Sequence, residues 1–195
     1  LPFVLMSMGL LDLDVVAIEP FDLAQLPGPH PTGKVRADRR AKGMKVTFHR
    51  PPAGKPQTLY YLSLDVTDAA LRANPEFLPF LEQFKPSMTF IKSASYLLHA
   101  KEFAGIRRTL IDVSDVLVQD DTGIPYGLLR KGKFEVGLFG RYEPPISDFP
   151  WAFQDDLAAA YAQAGNVAAL PFPFGYHWRV GQSGLMVARS TAKRP

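Results

Sequence analysis

At Asp68 the hydrophobic period of this chain changes, and that change restricts the fold more than any motif does. Before it, Met44, Val46 and Phe48 alternate with Lys45, Thr47 and His49, and Tyr60, Leu62, Leu64 and Val66 form one face of TLYYLSLDV. Alternation at every second residue is the pattern of half-buried strands, and the Pro/Gly-rich PPAGKPQ between the runs joins them as antiparallel partners. After it, Phe77, Phe80, Leu81 and Phe84 fall at i, i+3, i+4 and i+7, the apolar stripe of a helix, with Pro75 acceptable near its first turn.

The same periods organise the rest. Leu11, Leu13, Val15 and Ala17 alternate with Asp12 and Asp14, which predicts a strand over 11–18 and, after the apolar run LPFVLMSMGLL, a hairpin turn at Ser7 to Gly9. LPGPHPTG at 26–33 sustains neither helix nor strand, and a loop is expected over 26–42. SMTFIKSAS reads as a short strand. Leu98 or Phe103 then leads into a helix carrying Ile106 and Leu110. Val113 to Val118 and KFEVGLFGRY are strands, and FQDDLAAAYAQAG is a third helix aligned on Phe153, Leu157, Tyr161 and Ala164. Two short strands, near 176–180 and 185–188, close the chain. Strands and helices interleave without the strand-then-helix rhythm of a doubly wound sheet. The predicted class is therefore α+β, a mostly antiparallel sheet with about three helices on one face. A length of 195 residues suits one domain, and the Pro/Gly stretch lies too near the start to divide two.

Composition removes several function classes. With 47% hydrophobic and 21% charged residues the chain is that of a globular protein. A net charge of +3 makes no strong field. The one charge run, Lys34, Arg36, Arg39, Arg40, Lys42 and Lys45, lacks interleaved aromatics for base stacking and reads as a solvated loop, so nucleic acid is not an expected partner. The absence of cysteine excludes a disulfide scaffold, a thiol nucleophile and a cysteine-ligated metal. Asp12/Asp14, Asp120/Asp121 and Asp155/Asp156, with His30, His49, His99 and His177, show no metal-ligand spacing, and no metal or cofactor is expected. The opening apolar run is too short to span a bilayer and lacks the basic flank of a signal peptide. Starting at Leu1 rather than Met, the chain is expected to be the C-terminal part of a longer one.

The chemical question centres on VLVQDDTGIPY, residues 116–126. Asp121-Thr122-Gly123 after an apolar strand matches half of an aspartic-protease site, which needs two carboxylates sharing a proton and hence two copies of a short chain. Against that, Asp120 doubles the charge and Ile124-Pro125 interrupts the loop. Asp-Asp-Thr-Gly is also favourable turn chemistry, its carboxylates bonding backbone amides and its glycine accepting positive φ. Gly181-Gln182-Ser183-Gly184 resembles a serine-hydrolase elbow but lacks its second spacer and a following helix; it reads as a turn, and His177 nearby reads as a packed histidine. KSASYLLHAKEF gathers Lys92, Ser93, Ser95, Tyr96, His99 and Lys101. If Ser95 caps the helix, Tyr96 and His99 share a face, and a polar pocket at the helix start competes with a plain N-cap.

FIKSASYLLHAKEFAGIR, VLVQDDTGIPY, FGRYEPPISDF and FQDDLAAAYAQAG, in this order, resemble the C-terminal part of an uncharacterised family of bacterial exported proteins, over roughly residues 58 to 188. The resemblance implies a longer N-terminus and a periplasmic or cell-surface location. It makes Asp-Asp-Ser/Thr-Gly-Ile-Pro a family signature, which suits either a site or an obligatory turn, and it brings no activity with it. Gln182-Ser183-Gly184 departs from the Ser-Asn pair expected there, which counts against Ser183 as a nucleophile.

Three functional expectations follow. The first is a non-enzymatic domain that binds a small molecule or protein through a polar cleft of Lys92, Ser95, Tyr96, His99, Asp120, Asp121, Tyr126, Arg141 and Tyr142, where polar residues gather at strand ends and helix starts. The second is a hydrolase with Asp120 or Asp121 as general base and His99 or Lys92 supplying positive charge. The third is an assembly module whose aromatic stretches, 150–153 and 171–178, meet another subunit or the preceding part of the chain.

Overall fold

The structure, a computed structural model, describes residues 2–23, 42–52, 54–131, 134–142, 148–176 and 181–191. They cluster into two compact units, Leu1–Phe80 and Leu81–Pro195. The chain is α+β, with its strands shared between a three-stranded antiparallel sheet and a four-stranded mixed one.

The first unit opens with helix α1, Pro2–Leu10. Proline occupies the first helical position, where its missing N–H is no loss. The Leu- and Met-rich run favours helix and has no alternation, so the expected turn at Ser7 to Gly9 is replaced by helix. Ser7 Oγ donates back to the Phe3 carbonyl at 2.8 Å. The helix stops where Asp12 takes a φ of 51°, a left-handed end.

Strands β1 (Asp14–Asp22), β2 (Lys42–His49) and β3 (Gln57–Ser63) follow in spatial order β1-β2-β3. The expected pairing of the alternating runs is present, with Met44 opposite Tyr61 and Val46 opposite both Ile18 and Leu59. Helix α2 (Asp68–Ala73) is capped by Thr67, whose Oγ1 accepts the Ala70 N–H at 3.3 Å. The apolar stripe at Phe77 forms α3, Phe77–Glu82, across which the division between the units falls. The α3 residue Phe80 closes an aromatic triad with Phe21 and Tyr60, ring centres 4.8–5.6 Å apart, which packs the helix on the sheet.

The second unit runs β4 (Ser87–Phe90), α4 (Ala104–Val113), β5 (Ser114–Gln119), α5 (Tyr126–Lys131), β6 (Phe134–Gly140), α6 (Asp155–Ala164) and β7 (Gly184–Ser190). Its sheet order is β4-β5-β7-β6, with β4 and β5 parallel and the remaining pairs antiparallel. The expected strand at 176–180 lies largely outside the described residues. Helix α5 carries no periodic signal because it is one and a half turns long. Its Tyr126 joins Leu157 of α6 and Met186 of β7 in a buried core, bordered by Val136, Leu138 and Tyr161. Burial of such side chains contributes about 1.5–3 kcal/mol each. Among the described residues no helix is long and apolar enough to cross a membrane.

Candidate functional site

Two parallel strands end side by side in the second unit. Chain leaving β4 at Phe90 enters a 3₁₀ segment, Ser95–His99, and chain leaving β5 at Gln119 enters Asp120–Gly123. The C-terminal ends of parallel strands are where α/β sheets gather functional groups. Here the two loops are joined by hydroxyls: Ser95 and Thr122 are 2.5 Å apart, and Thr122 Oγ1 donates to Asp120 Oδ1 at 2.6 Å. A threonine has one proton, so with that proton on Asp120 the Ser95 hydroxyl is the donor to Thr122.

Asp120 is otherwise a turn residue. Its Oδ1 also accepts the Thr122 N–H at 2.9 Å, and its carbonyl accepts the Gly123 N–H at 3.3 Å. Gln119 completes the loop, its amide accepting from Ile124 N at 2.8 Å and donating to Ile124 O at 2.7 Å. The Asp120 carboxylate is fully buried against Gly175. Asp-Asp-Thr-Gly is thus a tightly bonded turn, with Asp120 Oδ1 bonded within its own loop. The Ser95 N-cap considered from sequence is not formed: Ala94, at a φ of 54°, holds the capping position and Ser95 turns inward to Thr122.

Gln154 ties this loop to the strands behind it. Its side chain donates to the Asp121 carbonyl at 2.6 Å and accepts the Tyr126 N–H at 2.6 Å, while its own N–H donates to Tyr142 Oη at 2.7 Å. Tyr142 stacks on Phe153 and Tyr161, and Tyr161 donates to the Phe139 carbonyl at 2.9 Å. Burial, with the nearby Asp121 charge adding to it, raises both phenols well above their usual range, so both stay neutral.

His99 is lowered from its ordinary value, chiefly by burial and further by Arg107, while the Gly123 backbone, Asp121 and the Thr122 backbone pull the other way. The ring is therefore neutral at neutral pH. Backbone acceptors hold its proton on Nδ1, and the buried Nε2, without a hydrogen-bond partner among the described residues, is left as an acceptor. Arg107 donates to the Leu98 carbonyl and, at 3.2 Å, to the Ala100 carbonyl, which anchors this segment to α4.

Against His99 lies an aromatic surface. Tyr96 stacks on Phe149 at 4.1 Å between centres, Trp151 stands edge-on to Tyr96 at 6.0 Å and to His99 at 6.0 Å, and Tyr176 meets Phe149 at 5.0 Å. Tyr176 Oη also accepts the Ala94 N–H at 2.9 Å, locking the third segment to the first. Trp151 remains 55% exposed.

Of the residues singled out from sequence, the structure brings together Ser95, Tyr96, His99, Asp120, Asp121 and, through Gln154, Tyr142. Tyr126 contributes a backbone N–H and otherwise packs in the core, because its ring faces Leu157 and Met186. Lys92 is exposed beyond the end of β4. Arg141 is exposed at the end of β6, its N–H donating to the Ser183 carbonyl at 3.0 Å. Ser183 is buried and its Oγ accepts the Phe174 N–H at 2.7 Å, the role of a turn anchor. His30, His177 and residues 34–40 of the basic run lie outside the described residues; Lys45 pairs with Glu19 at 3.2 Å in the first unit. Sequence reasoning missed Gln119, Gln154 and Phe149, and it marked Trp151 only as part of the aromatic stretch 150–153 expected at an interface.

No protein-family model, no curated protein and no solved structure matches this chain.

Proposed function

We propose that the chain is an exported domain of the bacterial family it resembles, and that its second unit binds a ring-bearing ligand on the surface of Tyr96, Phe149, Trp151 and Tyr176. The observation that carries this reading is the joining of three separated segments into an aromatic platform whose outermost ring, Trp151, stays more than half exposed and stands edge-on to the His99 ring. Stacking on such a face suits a sugar or planar ring. The buried turn beneath is then a support that holds the platform still.

The test uses Trp151 as its own reporter. In a Trp178→Phe background, fluorescence is titrated with soluble oligosaccharides and phenolic glycosides. Saturable quenching is expected, weakened about tenfold or more by Tyr96→Ala, since one stacked ring is worth about 0.5–1.5 kcal/mol beyond its buried area. If nothing in the panel perturbs Trp151, the reading is wrong.

A hydrolase is favoured by one observation: Asp121, 9% exposed, acts electrostatically on His99, Tyr142 and Tyr161 alike. That reading needs hydrolysis of an ester, glycoside or peptide substrate that Asp121→Asn abolishes with folding intact.

A further inference from the structure

On one side the sheet of the second unit ends in β4, which among the described residues pairs with β5 alone. Its ladder sets which groups face outward. Ile91 N donates to the Val118 carbonyl at 2.9 Å, and Phe90 is the register partner of Val118. Main-chain groups leave a strand to its two sides at alternate residues, so Thr89 and Ile91 address β5, and the N–H and C=O of Met88 and Phe90 point to the open side.

This edge is held in place from within the sheet. Ser87 Oγ donates to the Val113 carbonyl at 2.9 Å, and Thr89 Oγ1 lies 2.5 Å from Ser114 Oγ, both at the junction of α4 and β5. A strand fixed in this way needs no further ordering to accept another beside it. Alternation puts Met88 and Phe90 on the opposite face from those hydroxyls, and there they stay 69% and 54% exposed. Phe174 supports the Phe90 ring edge-on at 5.6 Å between centres.

The edge also carries charge at both ends. Lys85 stands just before β4 and Lys92 just after it; both are exposed, and neither enters an ion pair among the described residues. An edge with open main-chain groups, an apolar face and a cation at each end complements an extended strand that is apolar in its middle and acidic at its ends. We propose that β4 is a docking edge for such a segment of a partner protein, which adds as a fifth strand, lays alternate apolar side chains on Met88 and Phe90, and places its acids on Lys85 and Lys92. At about 3.3 Å per residue, about seven residues span the strand and both lysines. The acids fit either strand direction, because both ends of β4 carry a lysine. The edge uses none of the rings of the aromatic platform.

The test is a fluorescence-anisotropy titration of the full chain with a labelled, end-capped peptide, Glu-Val-Thr-Val-Thr-Val-Glu, against its neutral match with glutamine in place of both glutamates. The acidic peptide is expected to bind about threefold to tenfold more tightly at low salt, with the gap narrowing at high salt, as for two exposed ion pairs. Replacing both lysines, Lys85→Gln with Lys92→Gln, should erase the gap. Met88→Pro removes a donor on the open side without breaking the ladder to β5, and should weaken both peptides about tenfold at an unchanged melting temperature. In the saturated complex with the parent chain, the Met88 and Phe90 amides should exchange with solvent more slowly. Absence of binding overturns the proposal, and so does binding that leaves these amides unprotected or the gap intact in the lysine variant. Self-association of the chain that Met88→Pro abolishes, with no peptide bound, would make a second copy the occupant and overturn it too.

Discussion

Gly175→Ala is the sharpest test of how the buried turn is held. The residue sits at a φ of 66°, and an added Cβ would overlap Asp120 Oδ2 and come within 2.7 Å of Asp120 Cγ and 2.8 Å of its Cβ. Asp120 has nowhere to retreat: it is fully buried, and Thr122 holds its Oδ1 through two bonds, of 2.9 and 2.6 Å. A left-handed alanine costs about 1–2 kcal/mol. Loss of one hydrogen bond to a charged group adds about 1.5–3 kcal/mol. The substitution should therefore destabilise the second unit by about 3–5 kcal/mol. In an Asp120→Ala background the overlaps with Oδ2 and Cγ vanish, and the same change should cost only about 1–2 kcal/mol plus the residual approach to Cβ. The two substitutions should thus couple by about 2 kcal/mol. Urea unfolding of the four proteins, followed by fluorescence, reads this directly, because both tryptophans, 151 and 178, belong to the second unit. Additivity within about 0.5 kcal/mol would show that Gly175 does not close on Asp120, and the account of the turn would fail.

Two further outcomes follow from the same loop. His99 is depressed in the folded state, so the unfolded chain binds more protons around its ordinary value of 6.5; stability is fully present above that pH and falls as pH drops through the lower folded value. Urea midpoints at pH 8 and pH 5 should therefore converge in His99→Asn relative to the parent, and an equal pH dependence in both proteins refutes the burial assigned to the ring. Gln154→Ala removes the partners of Asp121 O and Tyr126 N, both buried, and should cost about 2–4 kcal/mol by leaving those groups unpaired; an unchanged melting temperature argues against the clamp.

Much of this fold was legible because it is written in local periods. β2 and β3 alternate cleanly, and their pairing across a Pro/Gly loop follows from the pattern. The Asp-Asp-Thr-Gly turn was legible for the same reason, since an aspartate bonding the amide two residues on is a property of adjacent residues. α1 was misread because an unbroken apolar run has no period to distinguish helix from strand, and α5 escaped because six residues show too little of one.

The site divides along the same line. Sequence marked Ser95, Tyr96, His99, Asp120 and Asp121, because polar residues at strand ends and helix starts stand out from an apolar background. It did not mark Gln154 or Gly175, whose contributions lie in contacts with distant chain such as Tyr126, Asp121 and Asp120, nor Gln119, whose amide closes on Ile124 within the same loop. It placed Trp151 only in an aromatic stretch expected at an interface, and its exposure beside Tyr96 and His99 exists only once three segments converge.

The sequence by itself determined the α+β class and the strand pair β2–β3, because each depends on neighbours in the chain, and it left the loop at residue 120 open between a turn and a site. Only the tertiary structure decided that the strands form two sheets, that β4 runs parallel to β5, and that their ends carry one bonded knot under an aromatic face. The physical reason is that hydrophobic period tells a residue which face to bury, whereas the partner against which it is buried is chosen by packing among distant segments.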